Sequence, residues 1–241
     1  MREKYLVMVP AYNAAKTISI VIGRLSKLKF DFDILVVDNH STDRTLDVAK
    51  KAFEKRGMKN FILLRNHKNI GYGGSQKVAL NFCVYHDYTK MVVVHSDDQY
   101  PVEEIPRLIL ANKRSGAAMT MGTRLRHKDV KKVMPAWRLF GNSVISAISR
   151  WAYDMKLDEF SSEFRIYDIN FMKHIDFEWC DNAAHYSTDS ILAIIKNKGK
   201  IDQIVIPCAY PKNASHPPTL DIIRYCIYNV SRALFYKAFK R

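Results

Sequence analysis

Cysteine is scarce, and its spacing excludes more than its number does. The four residues Cys83, Cys180, Cys208 and Cys226 form no C-x-x-C pair. That argues against a zinc site or a disulfide framework and fits a reducing compartment. The glycines of a dinucleotide fingerprint are missing after the first strand-like run, so a nicotinamide or flavin enzyme is not expected. The cluster Gly71-x-Gly73-Gly74 lacks the spacing and the Lys-Ser/Thr pair of a P-loop. No apolar run approaches the roughly 20 residues that span a bilayer, and no leader-like segment precedes Tyr5. Acidic residues are outnumbered, 24 against 38 Lys and Arg, for a net charge of +14. Such an excess favours a polyanionic partner: nucleic acid, an anionic membrane surface or a phosphorylated substrate. No nucleic-acid recognition motif accompanies the charge, so nucleic acid ranks last among these. Two N-x-S patterns, at Asn213 and Asn229, stand without any other sign of secretion.

The 241 residues, 48% hydrophobic, suffice for a sizeable core and are long for one domain but short for two. Short apolar runs alternate with helical spacing. Tyr5–Val9, Asp33–Val37, Phe61–Leu64, Met91–Val94, Ala117–Met121 and Ile201–Pro207 read as strands. Helices are expected over Thr17–Leu28, up to Lys55, up to Tyr85, over Glu103–Ser115 and over Trp137–Asp154. Four successive strand–helix units give a largely parallel α/β sheet. Ser41 or Thr42 is the expected cap of the second helix, with Asp43 in its first turn. Leu125–Pro135 reads as a basic, mobile loop. The tail from Thr219 carries apolar residues at 220, 223, 227, 230 and 234, one helical face. Its basic and aromatic residues suit a membrane interface, and docking on the domain's own core is an equal alternative.

Polar groups gather where these strands end. Asp38 follows the second strand, and His95, Ser96, Asp97, Asp98 and Gln99 follow the fourth. Open α/β sheets bind ligands at carboxyl ends. Carboxylate and amide oxygens there suit a hard divalent cation that also carries phosphate oxygens. An acidic turn that caps the next helix is the competing reading.

The ordered set Val9-Pro-Ala-Tyr-Asn13, Val36-Val-Asp-Asn-His-Ser-Thr-Asp-Arg-Thr45, Asn69-Ile-Gly-Tyr-Gly-Gly-Ser-Gln76, His95-Ser-Asp-Asp-Gln-Tyr100, Gly122-Thr-Arg124, Met134-Pro135 through Gly141-Asn142, and Phe164-Arg-Ile-Tyr167 resembles inverting family 2 glycosyltransferases of the GT-A fold. Within them it resembles the branch that makes dolichyl- and polyprenyl-phosphate sugars. The resemblance implies a GT-A domain over residues 1–216, followed at 217–241 by a basic amphipathic helix that belongs to the same unit or lies in a membrane interface. It implies a nucleotide pocket at Pro10, Ala11, Tyr12, Asn13, Asp38, Gln76, Ser96 and Asp97. It implies Mg²⁺ or Mn²⁺ at Asp97 and Gln99, and an acceptor phosphate at Arg124, Arg138, Asn142 and Arg165. A nucleotide-diphosphate sugar (GDP-mannose or UDP-glucose type) would be the donor and a polyprenyl or dolichyl phosphate the acceptor, at the cytoplasmic membrane face. A membrane-anchoring partner or a homo-oligomer is a further expectation. If the acceptor were a saccharide hydroxyl, a carboxylate base would be needed, and Asp189 is the candidate; a first-turn helix acid is its other reading. A third reading is a non-catalytic module that binds nucleotide sugar or lipid phosphate. The chain departs from the family's pattern at His95, Asn39, Glu163 and Ala209, which stand where a carboxylate, an aspartate, a glycine and an arginine are usual.

Overall fold

The computed structural model describes residues 3–208 and 219–239, and the side chains of 219–223 are not described. The first half alternates strand and helix as the apolar spacing requires. β1 (Tyr5–Ala11), α1 (Ile18–Leu25), β2 (Asp33–Asp38), α2 (Thr45–Glu54), β3 (Phe61–Arg65), α3 (Gly71–Tyr85) and β4 (Lys90–Val93) follow one another. A 3₁₀ turn at Val102–Glu104 leads into α4 (Ile105–Ser115) and β5 (Met119–Thr123). The second half holds α5 (Val130–Val133), α6 (Ala136–Tyr153), β6 (Arg165–Asp168), α7 (Ile169–Met172), α8 (Tyr186–Lys196), β7 (Ile201–Val205) and α9 (Thr219–Phe239).

The seven strands form one sheet in the order β3-β2-β1-β4-β6-β5-β7. All neighbours are parallel except β6, which runs antiparallel between β4 and β5. The sheet is therefore mostly parallel, with α-helical cover on both faces, and its central strands are apolar on both sides. Leu6, Met8, Leu35, Val37, Met91 and Val93 join one core; Val7, Val9, Ile34, Val36, Val92 and Val94 join the other. This period-two split is why β1, β2 and β4 read as unbroken apolar runs. The strand β6 was not anticipated. Its sequence, Arg165-Ile-Tyr-Asp168, is short and charged at both ends, yet Arg165 is fully buried.

Local chemistry corrects one further expectation. α2 begins at Thr45, and Asp43 rather than Ser41 or Thr42 satisfies its first turn. The Asp43 carboxylate accepts from the Thr45 backbone N–H at 3.0 Å and from that of Ala15 at 3.1 Å. Ser41 donates instead to the Asp38 carboxylate. The glycines after β3 lie inside the first turn of α3. A Cβ on Gly73 would strike the side chain of Tyr186 at 2.6 Å, so these glycines admit the 181–186 segment against the helix. Among the described residues no helix is long and apolar enough to cross a membrane.

The basic loop after β5 is partly ordered by charge. Arg126 pairs with Asp158 at 2.7 Å and Lys132 with Asp129 at 2.9 Å, the latter within the short helix α5. α9 packs along α6, and Ala233, at the contact, is fully buried.

Candidate active site

Two cavities open at the carboxyl ends of β1, β2 and β4. The first, about 550 Å³, is lined by Pro10 and Ala11 at the end of β1 and Tyr12 and Asn13 after it, by Asn39 after β2, and by Ser96 and Asp97 after β4. Asn69, Gly71, Tyr72, Ala183 and Ala184 close it. The second, about 430 Å³, lies beside it. Its walls are Trp137, Arg138, Gly141, Asn142 and Ile145 of α6, Tyr225 and Cys226 of α9, and Gln99, Tyr100, Arg124, Ser161 and Glu163. Tyr72, His95, Asp97 and Ala184 line both cavities.

At this junction Asp97 and Gln99 are joined. The Gln99 side-chain amide donates to the Asp97 carboxylate at 2.8 Å, and its backbone N–H at 3.2 Å. Asp98 turns the other way, in a left-handed backbone conformation (φ 61°), and pairs with Arg24. Arg24 also holds Glu103, which pulls the Glu103 carboxyl below its usual pKa. Asp97 is thus the acid of this turn that faces the cleft. Among the described residues no three His, Cys, Asp or Glu side chains cluster to hold a metal. One carboxylate and one carboxamide oxygen nevertheless fit a divalent cation that takes its other ligands from substrate phosphates, as Mg²⁺ commonly does. The donor set at Asp97 and Gln99 is of that kind.

His95 sits at the end of β4 between two rings, edge-on to Tyr72 (5.1 Å) and to Tyr100 (5.2 Å). Its Nε2 lies 2.9 Å from the Tyr72 hydroxyl, which donates onward to Glu163 Oε2 at 2.7 Å. Burial pushes the Tyr72 hydroxyl well above its usual pKa, and the Glu163 carboxylate adds to the shift, so this hydroxyl stays a donor. Glu163 also receives the Gln76 amide at 3.3 Å and lies 3.6 Å from the Arg165 guanidinium. A carboxylate in the acceptor-side cavity would repel a phosphate; here its charge is matched from behind by a buried arginine.

Several residues expected at the site are placed behind it. Arg165 is fully buried and lines neither cavity. Its guanidinium donates to the carbonyls of Ser162 (2.7 Å) and Ser187 (2.9 Å) and to the Ser190 hydroxyl (2.9 Å). Burial works against its charge, but Glu163 together with Tyr167 and Tyr72 more than offsets it, and its pKa is raised. Arg165 braces the floor rather than meeting an acceptor phosphate. Gln76 lies beneath the donor-side cavity and supports Glu163. Asp38 is buried under Ser41, whose hydroxyl and backbone N–H both donate to it, with Arg65 at 3.5 Å. Asn39, its neighbour, takes the place in the cavity wall. Asn39 also receives the backbone N–H of Ile70 at 2.9 Å, which ties the β2 end to the Asn69–Gln76 turn.

Asp189 is likewise withdrawn. It accepts from the Asp181 backbone N–H at 2.9 Å, from the Tyr228 hydroxyl at 2.9 Å and from Arg232 at 3.1 Å. All three partners are structural, two of them on α9, and Asp189 lines neither cavity. A carboxylate so committed ties α8 to the C-terminal helix and opens on neither cavity.

Arg124, Arg138 and Asn142 do line the second cavity. Arg124 is oriented by Glu159, which is fully buried and accepts its Nη2, its Nε (3.1 Å) and its backbone N–H (2.7 Å). Its guanidinium also stands 5.5 Å from the centre of the Tyr100 ring. Sequence reasoning passed over Tyr72, Tyr100, Glu159 and Tyr225. Tyr72 was within reach, since it lies inside the Asn69–Gln76 motif; nothing near Glu159 or Tyr225 in the chain flags either one. Ala209 lies outside the described residues.

The mostly parallel sheet, with a cavity across its strand ends, has the GT-A fold of nucleotide-diphospho-sugar transferases. The chain belongs to glycosyl transferase family 2, whose profile matches residues 6–178. It is 22% identical to the undecaprenyl-phosphate mannosyltransferase of Micrococcus luteus, over 95% of this chain and 93% of that one. It is 25% identical to the UDP-N-acetylglucosamine–dolichyl-phosphate N-acetylglucosaminyltransferase of Methanococcus voltae, over 95% of each. In three dimensions it is similar to glucosyl-3-phosphoglycerate synthase of Mycobacterium tuberculosis, solved with Mn²⁺, UDP-glucose and phosphoglyceric acid. That match has a TM-score of 0.69 at 17% identity and covers 98% of this chain and 79% of the other.

Proposed function

We propose that this glycosyltransferase moves a hexose from a nucleotide-diphosphate sugar to a polyprenyl or dolichyl phosphate, with inversion, at the cytoplasmic face of a membrane. The observation that carries this reading is the shared wall of the two cavities. Donor in the strand-end cavity and acceptor in the helix-walled one meet at Tyr72, His95 and Asp97. A divalent cation held at Asp97 and Gln99 would neutralise the charge that grows on the diphosphate leaving group. Arg124, set by Glu159, and Arg138 offer guanidinium donors, which bind phosphate oxygens in pairs. A phosphomonoester, with a second pKa of about 6, is already a dianionic nucleophile near neutral pH. The withdrawal of Asp189 from the cleft suits such an acceptor, because none of the chemistry then depends on a general base.

Lipid access is supported by the surface around the acceptor-side cavity. Trp137, Phe140, Val144 and Trp151 are exposed along one side of α6; Trp137 is 61% and Phe140 72% accessible. Ile227, Leu234, Phe235 and Phe239 are exposed on α9 beside it. Lys131 and Lys132 stand on α5, and Lys237 stands on α9 with its ammonium 5.2 Å from the centre of the Trp151 ring. Aromatic and aliphatic residues flanked by lysines suit an interfacial helix pair on anionic lipid.

The test is incubation of the protein with radiolabelled GDP- and UDP-hexoses, Mg²⁺ or Mn²⁺ and polyprenyl phosphate, followed by extraction into organic solvent. Label in the organic phase is expected for one donor. Label confined to the aqueous phase with every donor would overturn the lipid acceptor. Transfer to a water-soluble saccharide would then favour a hydroxyl acceptor, and nucleotide binding without any transfer a binding module.

A further inference from the structure

We propose that α9 couples membrane attachment to donor binding. When its exposed apolar face lies on an anionic lipid surface, the helix holds the 181–185 segment in place, and the donor-side cavity closed by that segment gains affinity for nucleotide. The inference rests on the donor and lipid-surface readings given above and adds regulation to them.

The contacts of α9 lead there. Its described residues line only the acceptor-side cavity, yet its polar side chains gather on the start of α8. The hydroxyls of Ser187 and Tyr225 lie 3.2 Å apart, and Thr188 donates to Asn229. Asp189 receives the Tyr228 hydroxyl at 2.9 Å and Arg232 at 3.1 Å. His185, just before α8, lies nearly parallel to two α9 rings, its centre 3.9 Å from that of Tyr228 and 5.6 Å from that of Tyr225. Ala183 and Ala184 come immediately before His185 and close the donor-side cavity. On the other side the segment is tied to α3, where the Gly74 backbone N–H donates to the Asn182 carbonyl at 3.1 Å. Its first residue, Asp181, donates its N–H to the same Asp189 that α9 holds. A wall of one cavity is thus clamped by a helix of the other.

α9 itself is thinly held. Among its described side chains only Asn229 and Ala233 are buried, while Ile227, Leu234, Phe235 and Phe239 are exposed. From residue 224 to 239 the helix carries Arg224, Arg232 and Lys237 and no acid, a charge that matches anionic lipid. Covering the apolar face adds burial that the free chain lacks, and so favours α9 seated on α8 over α9 lifted from it. By linkage, the factor that lipid adds to nucleotide affinity is the factor that nucleotide adds to lipid affinity.

The test uses the full chain and vesicles of phosphatidylcholine and phosphatidylglycerol without polyprenyl phosphate, so that no acceptor contributes. Binding of UDP and of GDP in the presence of Mn²⁺ is measured with and without vesicles. Vesicles should raise the affinity for the preferred nucleotide by about fivefold or more, and nucleotide should raise partitioning onto vesicles by the same factor. Hydrogen exchange gives a reading independent of any variant: vesicles should slow the amides of Asp181 and Gly74. His185→Ala removes the ring stack, and Tyr228→Leu removes both ring and hydroxyl. Each should leave vesicle binding unchanged and abolish the coupling. Unaltered nucleotide affinity in a chain that sediments with vesicles, or full coupling in both variants, would overturn the proposal and leave the donor and lipid-surface readings standing. A chain that stays in the supernatant would overturn the lipid surface and the coupling together. Absence of nucleotide binding in either condition would overturn the donor reading and, with it, the coupling.

Discussion

The two cavities are built differently. The donor-side cavity is closed by Ala183 and Ala184 but otherwise walled by strand ends and the turns that follow them, so most of its groups come from short stretches: Pro10 to Thr17, Asn39, Asn69 to Ser75, and His95 to Asp97. The sheet register fixes them, because parallel β1, β2 and β4 must end on one edge. The acceptor-side cavity has only part of that frame, through His95, Asp97, Gln99 and Tyr100 after β4 and Arg124 after β5. It is closed by two helices, α6 and α9, whose cavity residues are separated by more than a third of the chain, and its rim is exposed aromatic surface. A sheet edge gives precise positions for a cation and a diphosphate, whereas a helix pair gives a compliant apolar wall that suits a lipid chain. The difference implies that damage on the donor side should stop chemistry, and damage on the acceptor side should change affinity, partitioning or stability.

The sharpest division is expected from Asp97→Ala. Without its carboxylate the diphosphate loses its cation, and kcat should fall by at least about 10²-fold. The melting temperature should stay close to that of the unsubstituted protein, since Asp97 is only partly buried. Near-normal turnover in this variant would show that the cation lies elsewhere. Arg138→Ala comes next. A charged hydrogen bond contributes about 1.5–3 kcal/mol, so KM for the phosphate acceptor should rise by roughly 10- to 100-fold while UDP or GDP binding holds; a matching loss of nucleotide affinity would dissolve the distinction between the cavities. Phe140→Ser, on the exposed face of α6, should lower partitioning onto anionic vesicles by about tenfold, as expected for one partly inserted aromatic ring. Unchanged sedimentation with vesicles would remove the lipid surface from the acceptor side.

The same contrast explains how far the sequence could be read. Strands β1, β2 and β4 announce themselves as apolar runs that stop at polar residues, so their parallel sense and the polar turn that carries Asp97 follow from local pattern. β6 does not, because its burial depends on an ion pair and three carbonyl and hydroxyl acceptors supplied by Ser162, Ser187 and Ser190. Arg165 looks like a phosphate ligand in the chain and is a buried brace in the fold for that reason. Asp38 and Gln76 mislead in the same way: each lies next to a wall residue in sequence, and the period-two and helical turns of the backbone carry it behind the wall. Glu163 is the converse case. Beside phosphate-binding arginines it reads as a liability, and only the three-dimensional contact with Arg165 and Tyr72 turns it into a neutralised acceptor of hydrogen bonds.

Asp189→Asn separates the two regions most finely, because the two roles open to this residue predict opposite signatures. As a base it would carry the reaction, and its loss would reduce kcat by about 10²–10⁴-fold with little change in stability. As the latch seen here it ties α8 to Tyr228 and Arg232 of α9. Breaking a buried charge pair costs about 3–5 kcal/mol; Arg232 remains 32% accessible, and the asparagine retains part of the hydrogen bonding, so about 1–3 kcal/mol is expected. For a chain of this size that lowers the melting temperature by roughly 2–10 °C. Turnover below the transition should stay within about threefold of normal, with KM for the lipid acceptor rising more than KM for the donor, because Tyr225 and Cys226 of the loosened helix wall the acceptor-side cavity alone. Arg232→Gln should reproduce the stability loss, and the double variant should cost less than the sum of the two, since both remove one interaction. A large fall in kcat with an unchanged melting temperature would instead return Asp189 to the chemistry and make α9 part of the catalytic machinery.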